Sequence, residues 1–536
     1  MAKQSKKQNF LQGTAWLAAA TILVKIIGAF YKIPLGNIIG DDGFGYFSTA
    51  YNIYNVLLTI STAGLPVAMS RMIARASSLE QYNQVRQIYR TARNTFLGLG
   101  IAGSVLMVGF CRQLASFYNQ PDAWAAIGCL GPCVLLICII SAFRGFFQGQ
   151  SNMRPTSLSQ VLEAFIKLTV GIVAAIAILR FTDSIPLAAG GAILGVTASC
   201  AVSALFLYSL FRRSYAELPA GSDTADSFGS TARDLLAIAF PITIGSAILQ
   251  VFTSLEGKIA LGQLLEMGYT DDGAALSADT MWGIYNKAYT IFNFPCALMT
   301  PITISIIPSV TALIATGDSA GAAKTEESAI RVTSLIAMPC AAGLAVLSEP
   351  IMALLYGYSG EKLALAAQIL AVLGLSIAFQ SLSLVTTAML QAHGHATRAM
   401  VNMLVGGVLN LIAVFLLTGN ERIHILGLAF GIVVCYISIL VVNVFTLHTL
   451  LPSPPKLFVN VLRPVLAAVC MGVVVYGVHT GLESAGLTSR LILCAVPIAV
   501  GIAIYLVLVV LFRALRREDC LMLPKGEKIA NILHLK

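Results

Sequence analysis

Eight ionisable side chains lie inside apolar stretches of this 536-residue sequence, and six of them are basic. A charge at the centre of a membrane helix costs roughly 2.5–3.5 kcal/mol, so such side chains must face the protein interior or water. Together they carry a surplus of four positive charges. A lysine-rich pocket suits a phosphate or diphosphate group, which the ammonium binds as a point charge. The eight residues are Lys25, Lys32, Arg144, Glu163, Lys167, Glu256, Lys258 and Lys287.

Four of these lysines are the predicted substrate-binding residues: Lys25, Lys32, Lys258 and Lys287. Lys25 and Lys32 are seven residues apart, which places them on one face of a helix. Lys25 lies about 20 Å along its apolar segment, past mid-membrane. The alternative for all four is a side chain that extends to the outer interface and has no substrate role, and the depth of Lys25 makes it the poorer explanation there.

The remaining charges favour other roles. Glu163 and Lys167 are spaced as a favourable helical pair, and with Arg144 they are predicted to form a structural ion cluster. Glu256 and Lys258 are two residues apart and point in roughly opposite directions. Glu256 is therefore either a cation-coupling carboxylate or a charge partner for another lysine, and the sequence leaves both open.

The elements that carry these residues are apolar helices. Hydrophobic residues make up 57% of the chain and charged residues 11%, against about 25% charged in soluble domains. Apolar segments long enough to span a bilayer recur fourteen times. We therefore predict an all-α integral membrane protein with 14 transmembrane helices. The segments are 12–36, 45–70, 94–111, 123–149, 156–180, 186–211, 234–262, 280–311, 329–348, 363–390, 399–418, 424–448, 458–480 and 490–513.

The distribution of Lys and Arg over the loops predicts the orientation. With both termini cytoplasmic, the inner segments hold 23 Lys and Arg residues and the outer loops hold five. This bias follows the positive-inside rule. The net charge of +9 is thus explained by topology, and no basic patch indicates a nucleic-acid partner.

An internal repeat divides the chain into two halves. The segment 32–37 recurs as 258–263, and 45–55 recurs as 283–293. Six helices in each half predict two lobes related by a pseudo-twofold axis along the membrane normal. The predicted domains are an N-lobe at 1–211, a cytoplasmic linker at 212–233, a C-lobe at 234–448, helices 13–14 at 449–513 and a cytoplasmic tail at 514–536.

The sequence contains no enzyme motif, and its eleven cysteines have no zinc-binding spacing. We therefore predict a protein that is not an enzyme, with no catalytic residues, metal or cofactor. Two like halves in a membrane protein are typical of secondary transporters, and energy for transport would then come from a Na⁺ or H⁺ gradient, the membrane potential or the substrate gradient.

Several motifs together resemble the multidrug/oligosaccharidyl-lipid/polysaccharide flippase superfamily. The chain looks like its polysaccharide-export, stage V sporulation protein B-like branch, which is related to the lipid II flippases. The two C-terminal helices are also similar to those of the lipid II flippases. The motifs are Lys25-Ile26-Ile27-Gly28, Ile38-Ile39-Gly40 followed by Gly43-Phe44-Gly45, Gly64-Leu65-Pro66, and Arg144-Gly145-Phe146-Phe147-Gln148-Gly149 leading to Arg154-Pro155.

The resemblance implies a bacterial cytoplasmic-membrane protein whose helices 1, 2, 7 and 8 line a cavity. The cavity would take a sugar-diphosphate head while the polyprenyl tail stays among membrane lipids. Lys25 falls where lipid II flippases carry a basic residue. Tyr31, Leu58 and a position near Thr290 stand where those flippases carry arginines.

We therefore expect a monomeric, alternating-access flippase or exporter for an undecaprenyl-diphosphate-linked glycan, such as a peptidoglycan precursor or a polysaccharide unit. A cation-coupled multidrug antiporter on the same fold is one alternative, and it predicts acidic residues in the cavity. A non-transporting scaffold for cell-wall assembly is another, and it predicts that the buried lysines can be replaced without loss.

The charge bias makes a direct topological prediction. A thiol probe at Ser222 should lie inside the cell, and one at Asp271 outside. In intact cells, a membrane-impermeant maleimide should therefore modify Asp271→Cys and leave Ser222→Cys unmodified until the cells are lysed. The reverse pattern would overturn both the orientation and the lobe assignment.

Overall fold

The computed structural model describes residues 20 and 23–516, except 151, 271–275 and 452–453. All regular elements within these residues are helical. The predicted labelling position Asp271 and nearly all of the predicted tail 514–536 lie outside the described residues. The chain divides into two compact units, Met1–Asn286 and Lys287–Lys536.

The first unit is built from long apolar helices, with α7 against α8 and α6 against both α4 and α8. Its core is centred on buried residues of α2, α6 and α8. Its helices are α1 (23–38), α2 (Gly40–Thr62), α3 (Leu65–Ser78), α4 (Tyr82–Gly109), α5 (Cys111–Phe117), a 3₁₀ turn (Pro121–Ala123), α6 (Trp124–Gly149), α7 (Arg154–Thr182), α8 (Ile185–Ala216), α9 (Phe228–Glu266) and the start of α10 (Ala278–Ala315).

The second unit holds the rest of α10 and seven further helices. Gly317, at φ 78°, follows α10, and the Asp318 carboxylate caps the next helix by accepting from the N–H of Gly321 at 2.8 Å. The helices are α11 (Ser319–Val346), α12 (Ser348–Tyr356), α13 (Gly360–Ala392), α14 (Ala396–Thr418), α15 (Leu426–Leu450), α16 (Leu457–Ser484) and α17 (Arg490–Leu511).

The prediction of an all-helical membrane protein is confirmed. Among the described residues, 11 helices are long and apolar enough to cross a membrane, or 12 if the bent pair α4–α5 forms one span. The predicted number of 14 is not confirmed by this count. Neither α1, described only over 23–38, nor α10 is among the counted spans.

One predicted membrane segment is broken in two at Gly64. The Pro66 ring sits in the first turn of α3, where it costs no helical hydrogen bond. A Cβ on Gly64 would collide with the carbonyl oxygen of Ala239 in α9. Glycine is therefore required here, because the backbone of α9 passes directly against the break.

The segment between α8 and α9 is fastened to the start of α4. The Asp223 carboxylate accepts from the backbone N–H of Asn83 at 3.0 Å and of Gln84 at 2.8 Å. Gln84 and Asp226 exchange two further bonds of 2.8 Å. A carboxylate at a helix N-terminus satisfies unpaired N–H groups and complements the helix dipole.

The hydrogen bonds that Asp223 accepts from the start of α4 give a testable prediction. Partial desolvation raises the pKa of Asp223, but the bonds from Asn83 and Gln84 outweigh it and hold the pKa below its usual range. A lowered carboxyl pKa stabilises the folded form above the ordinary pKa, and the contribution is lost as pH falls through the lowered value. Asp223→Ala should therefore speed amide exchange at residues 82–86 several-fold near pH 7.

The matched control is Glu217→Ala, which removes an exposed acid from the same segment. Hydrogen-exchange mass spectrometry of both variants measures the effect. Equal exchange in the Asp223 and Glu217 variants would show that the carboxylate does not hold the segment.

Candidate functional site

The predicted substrate lysines of α1 differ in their surroundings. Lys25 is exposed, whereas Lys32 is partly buried. The Lys32 ammonium lies 5.9 Å from the centroid of the Tyr51 ring in α2, within cation–π range. Lys25 is thus open to its surroundings, and Lys32 rests on an aromatic surface.

Lys258, the repeat counterpart of Lys32, stands over a different ring. Its Nζ is 3.3 Å from the centroid of Phe117, which lies in the short helix α5. Among the described contacts, none joins Lys32 to Lys258. The repeat therefore places two lysines at matching positions, but each has its own aromatic partner.

Lys287 is enclosed within the second unit. Its side chain is 2% exposed, and its Nζ lies 5.1 Å from the centroid of Tyr356 and 5.4 Å from that of Tyr358. The Tyr356 hydroxyl also donates to the backbone oxygen of Lys287 at 3.4 Å. A ligand can reach this ammonium only if the groups around it move.

The three residues of the predicted ion cluster form two kinds of contact: an ion pair and a cation–π contact. Arg144 Nη2 lies 3.0 Å from Glu163 Oε2, and Arg144 Nε donates to Ser159 at 3.1 Å. The Lys167 ammonium instead lies 5.6 Å from the centroid of the Tyr31 ring. The structure thus pairs Arg144 with Glu163 and places Lys167 on an aromatic face.

Polar bonds join α2 and Gln120, the residue before the 3₁₀ turn, to the start of α10 within the first unit. Gln120 Nε2 donates to Asp279 at 2.6 Å, and Thr280 donates to Asp42 at 2.6 Å. The Trp282 indole donates to Thr49 at 3.0 Å. We call these three bonds the polar seam. Glu256 of α9, the other acid predicted at membrane depth, is buried at 8% exposure.

Sequence reasoning missed the aromatic residues around the lysines. Tyr51 lies inside the repeated segment 45–55, so its recurrence was visible, but nothing in the spacing showed which ring would meet which ammonium. Within the described part of the chain, no group of three His, Cys, Asp or Glu side chains could hold a metal ion.

Comparison with known proteins identifies the family. Residues 10–314, more than half of the chain, match a family described as "Polysaccharide biosynthesis protein". The chain belongs to this family. A second family of the same description matches residues 273–364. The predicted membership of the multidrug/oligosaccharidyl-lipid/polysaccharide flippase superfamily is confirmed, and this is a family of transporters, not of enzymes.

Two relatives of this polysaccharide biosynthesis protein come from Bacillus subtilis (strain 168). Stage V sporulation protein B is 24% identical over 522 residues, which cover 97% of this chain and 98% of the relative. Lipid II flippase MurJ is 24% identical over 421 residues, which cover 75% of this chain and 76% of the relative.

Solved structures show the same fold. Lipid II flippase MurJ in an inward closed conformation matches with a TM-score of 0.69 at 14% identity, covering 92% of this chain and 98% of that one. An inward-facing multidrug resistance MATE family transporter matches with a TM-score of 0.64 at 16% identity, covering 81% and 93%.

The Arg144–Glu163 pair gives a prediction about stability. Glu163→Gln leaves the arginine charge at membrane depth without its carboxylate. Removing one partner of a fully buried pair costs about 3–5 kcal/mol, and the partial exposure here reduces the expected loss to about 1–3 kcal/mol. The side chains are 15% and 25% exposed.

The double variant Arg144→Met/Glu163→Leu removes both charges and should recover most of that loss. Thermal unfolding of the purified protein in detergent measures both variants. If the double variant is less stable than Glu163→Gln, the pair does more than neutralise charge.

Proposed function

We propose that this polysaccharide biosynthesis protein is an alternating-access flippase. It carries an undecaprenyl-diphosphate-linked glycan, such as a lipid II-like peptidoglycan precursor or a polysaccharide unit, from the inner to the outer leaflet of the bacterial cytoplasmic membrane. The single observation that carries the proposal is the surplus of basic side chains at membrane depth in a chain of a transporter family.

Charge chemistry favours an anionic headgroup. Lys25 is exposed and Lys32 is partly exposed on α1, while Glu163, one of the two acids at membrane depth, bonds to Arg144. A multidrug antiporter would need acidic residues open to a cationic substrate. The name of the MurJ relative, a lipid II flippase, is consistent with a diphosphate-linked substrate.

The proposed transporter has fourteen spans, both termini in the cytoplasm, and acts as a monomer. Twelve spans are counted when the bent pair α4–α5 is taken as one. The helices α1 and α10, which correspond to predicted helices 1 and 8, bring the proposed number to fourteen. The predicted lobes at 1–211 and 234–448, with helices 13–14 outside the repeat, remain part of this proposal.

Alternating access requires interactions that close one end of the cavity and can be broken to open it. The polar seam joins segments from both predicted lobes, because Asp42, Thr49 and Gln120 precede the linker while Asp279, Thr280 and Trp282 follow it. In the predicted topology the seam lies at the outer end of the helices. We therefore assign it as the outer gate in a closed state, held by Lys258 against Phe117 as well.

Lys25 is the proposed entry contact for the diphosphate. Lys25→Ala removes an exposed ammonium at membrane depth and should abolish complementation in a strain depleted of the native protein. The protein should still insert at normal levels, because no packed partner is lost. Growth and membrane abundance are the measurements, and Lys324→Ala, at an exposed cytoplasmic position, is the control.

The substrate is tested in the same depleted strain. Extracted lipids should contain an undecaprenyl-linked glycan that accumulates on the inner leaflet, and mass spectrometry identifies the glycan. If no lipid-linked intermediate accumulates while growth fails, the chain is a scaffold and not a flippase. Normal growth with Lys25→Ala would remove Lys25 from the site and leave the flippase assignment standing.

A further inference from the structure

Four aromatic rings of α1 and α2 contact one another in series inside the first unit, by edge-to-face or tilted contacts, and we call this series the aromatic stack. The centroids of Tyr31 and Phe47 are 6.0 Å apart, those of Phe47 and Tyr51 4.9 Å, and those of Tyr51 and Tyr54 5.8 Å. Tyr31 and Phe47 are each 1% exposed. The Tyr31 hydroxyl donates to the backbone oxygen of Ala192 in α8 at 3.0 Å, which holds the stack in place.

Two lysines from different helices rest on this stack. Lys32 of α1 lies over Tyr51, and Lys167 of α7 lies over Tyr31. Both rings contact Phe47, so the two ammonium groups lie on the same aromatic stack, and their positive charges repel. Both lysines are partly exposed.

The charges around the stack do not balance. Arg144, Lys32 and Lys167 are positive and Glu163 is negative, which leaves a net charge of +2. The Glu163 carboxylate is 3.0 Å from Arg144. Among the residues that the structure describes, neither Lys32 nor Lys167 forms an ion pair.

The aromatic faces offset only part of the cost of these charges. A cation–π contact contributes about 0.5–2 kcal/mol, whereas a lysine at the centre of a membrane helix costs roughly 2.5–3.5 kcal/mol. Two neighbouring ammonium groups in a medium of low dielectric constant add a repulsive energy. An anion between them would remove the repulsion and supply the missing charge-assisted hydrogen bonds.

We propose that Lys32 and Lys167 together form one binding site for a phosphate or diphosphate group, with the Tyr31 and Tyr51 rings as its walls. The site rests on the proposed function and deepens it, because it assigns Lys167 to the substrate and not to the structural cluster. Arg144 has a positioning role: it bonds the carboxylate of Glu163, which lies one turn from Lys167 on α7.

The experiment uses the full-length purified protein and two probes. Inorganic pyrophosphate represents a free phosphate ligand, and geranylgeranyl diphosphate represents a lipid headgroup with an apolar tail. Isothermal titration measures the affinity of each probe for the parent, Lys32→Gln, Lys167→Gln and the double variant. Arg180→Gln, an exposed basic residue on the same helix α7, is the matched control.

Each single variant should lose about 10–100-fold in affinity, the range expected when one charge-assisted hydrogen bond is removed. The double variant should lose less than the product of the single losses, because both lysines hold one ligand. Lys167→Arg should retain binding, and Arg180→Gln should match the parent. Thermal unfolding of every variant separates lost binding from lost folding.

Several outcomes overturn the site. Parent-like affinity of a folded Lys167→Gln, or no binding of either probe by the parent, shows that Lys167 is structural. Binding of geranylgeranyl diphosphate alone supports the site with a lipid-linked ligand, and binding of both probes supports it with the phosphate group as the determinant. Failure of the proposed function is distinguishable from failure of this site. If only the proposed function fails, the parent still binds pyrophosphate through both lysines but does not move a lipid-linked glycan in proteoliposomes.

Discussion

The electrostatic cost of charge in a membrane governs how the functional residues of this chain are held. Each described basic side chain at membrane depth other than Lys25 lies against an aromatic ring or a carboxylate. Aromatic faces stabilise an ammonium without neutralising it, so the positive charge stays available to an anion. The pairs are Lys32 with Tyr51, Lys167 with Tyr31, Lys258 with Phe117, Lys287 with Tyr356 and Tyr358, and Arg144 with Glu163.

Two kinds of helix packing support these contacts. In the first unit, α7 and α8 approach so closely that a Cβ on Gly195 would overlap the Cα of Gly171. In the second unit, the fully buried Asn443 donates to Thr387 at 2.8 Å and accepts from Asn402 at 2.9 Å. Small residues and interhelical hydrogen bonds are the main means of association in lipid, where burial of apolar surface gives no driving force.

Much of this architecture was predictable from apolar runs. Thirteen of the fourteen segments coincide with a described helix or a broken pair of helices, and the first, 12–36, does so from residue 23. The helix ends were not predictable in the same way. The helix α4 begins at Tyr82, whereas the segment was predicted from 94, because helical hydrogen bonding continues past the apolar window into polar sequence. The 72° bend between α4 and α5 carries no proline and falls after Gly109, one of many glycines within the apolar segments.

The site was only partly predictable for a different reason. Depth along a helix follows from counting residues, so the lysines at membrane depth could be named. Their partners depend on tertiary packing: Lys167 and Tyr31 are far apart in sequence and meet because α1 lies beside α7 and α8. The spacing of Glu163 and Lys167 indicated an ion pair, but Arg144 takes the carboxylate instead.

The lysines differ in how deeply they are buried, and this difference implies different roles in a transport cycle. An exposed ammonium such as that of Lys25 can meet an anion with little rearrangement. Lys287, at 2% exposure between two tyrosine rings, can meet one only after those rings separate. Lys32 and Lys167 are intermediate, because each is partly exposed and has its ammonium over one ring. A ligand that binds a more open state more tightly shifts the population toward that state by its difference in affinity. Partly covered lysines can therefore couple anion binding to movement of the helices around them, whereas a fully exposed lysine can only attract the anion.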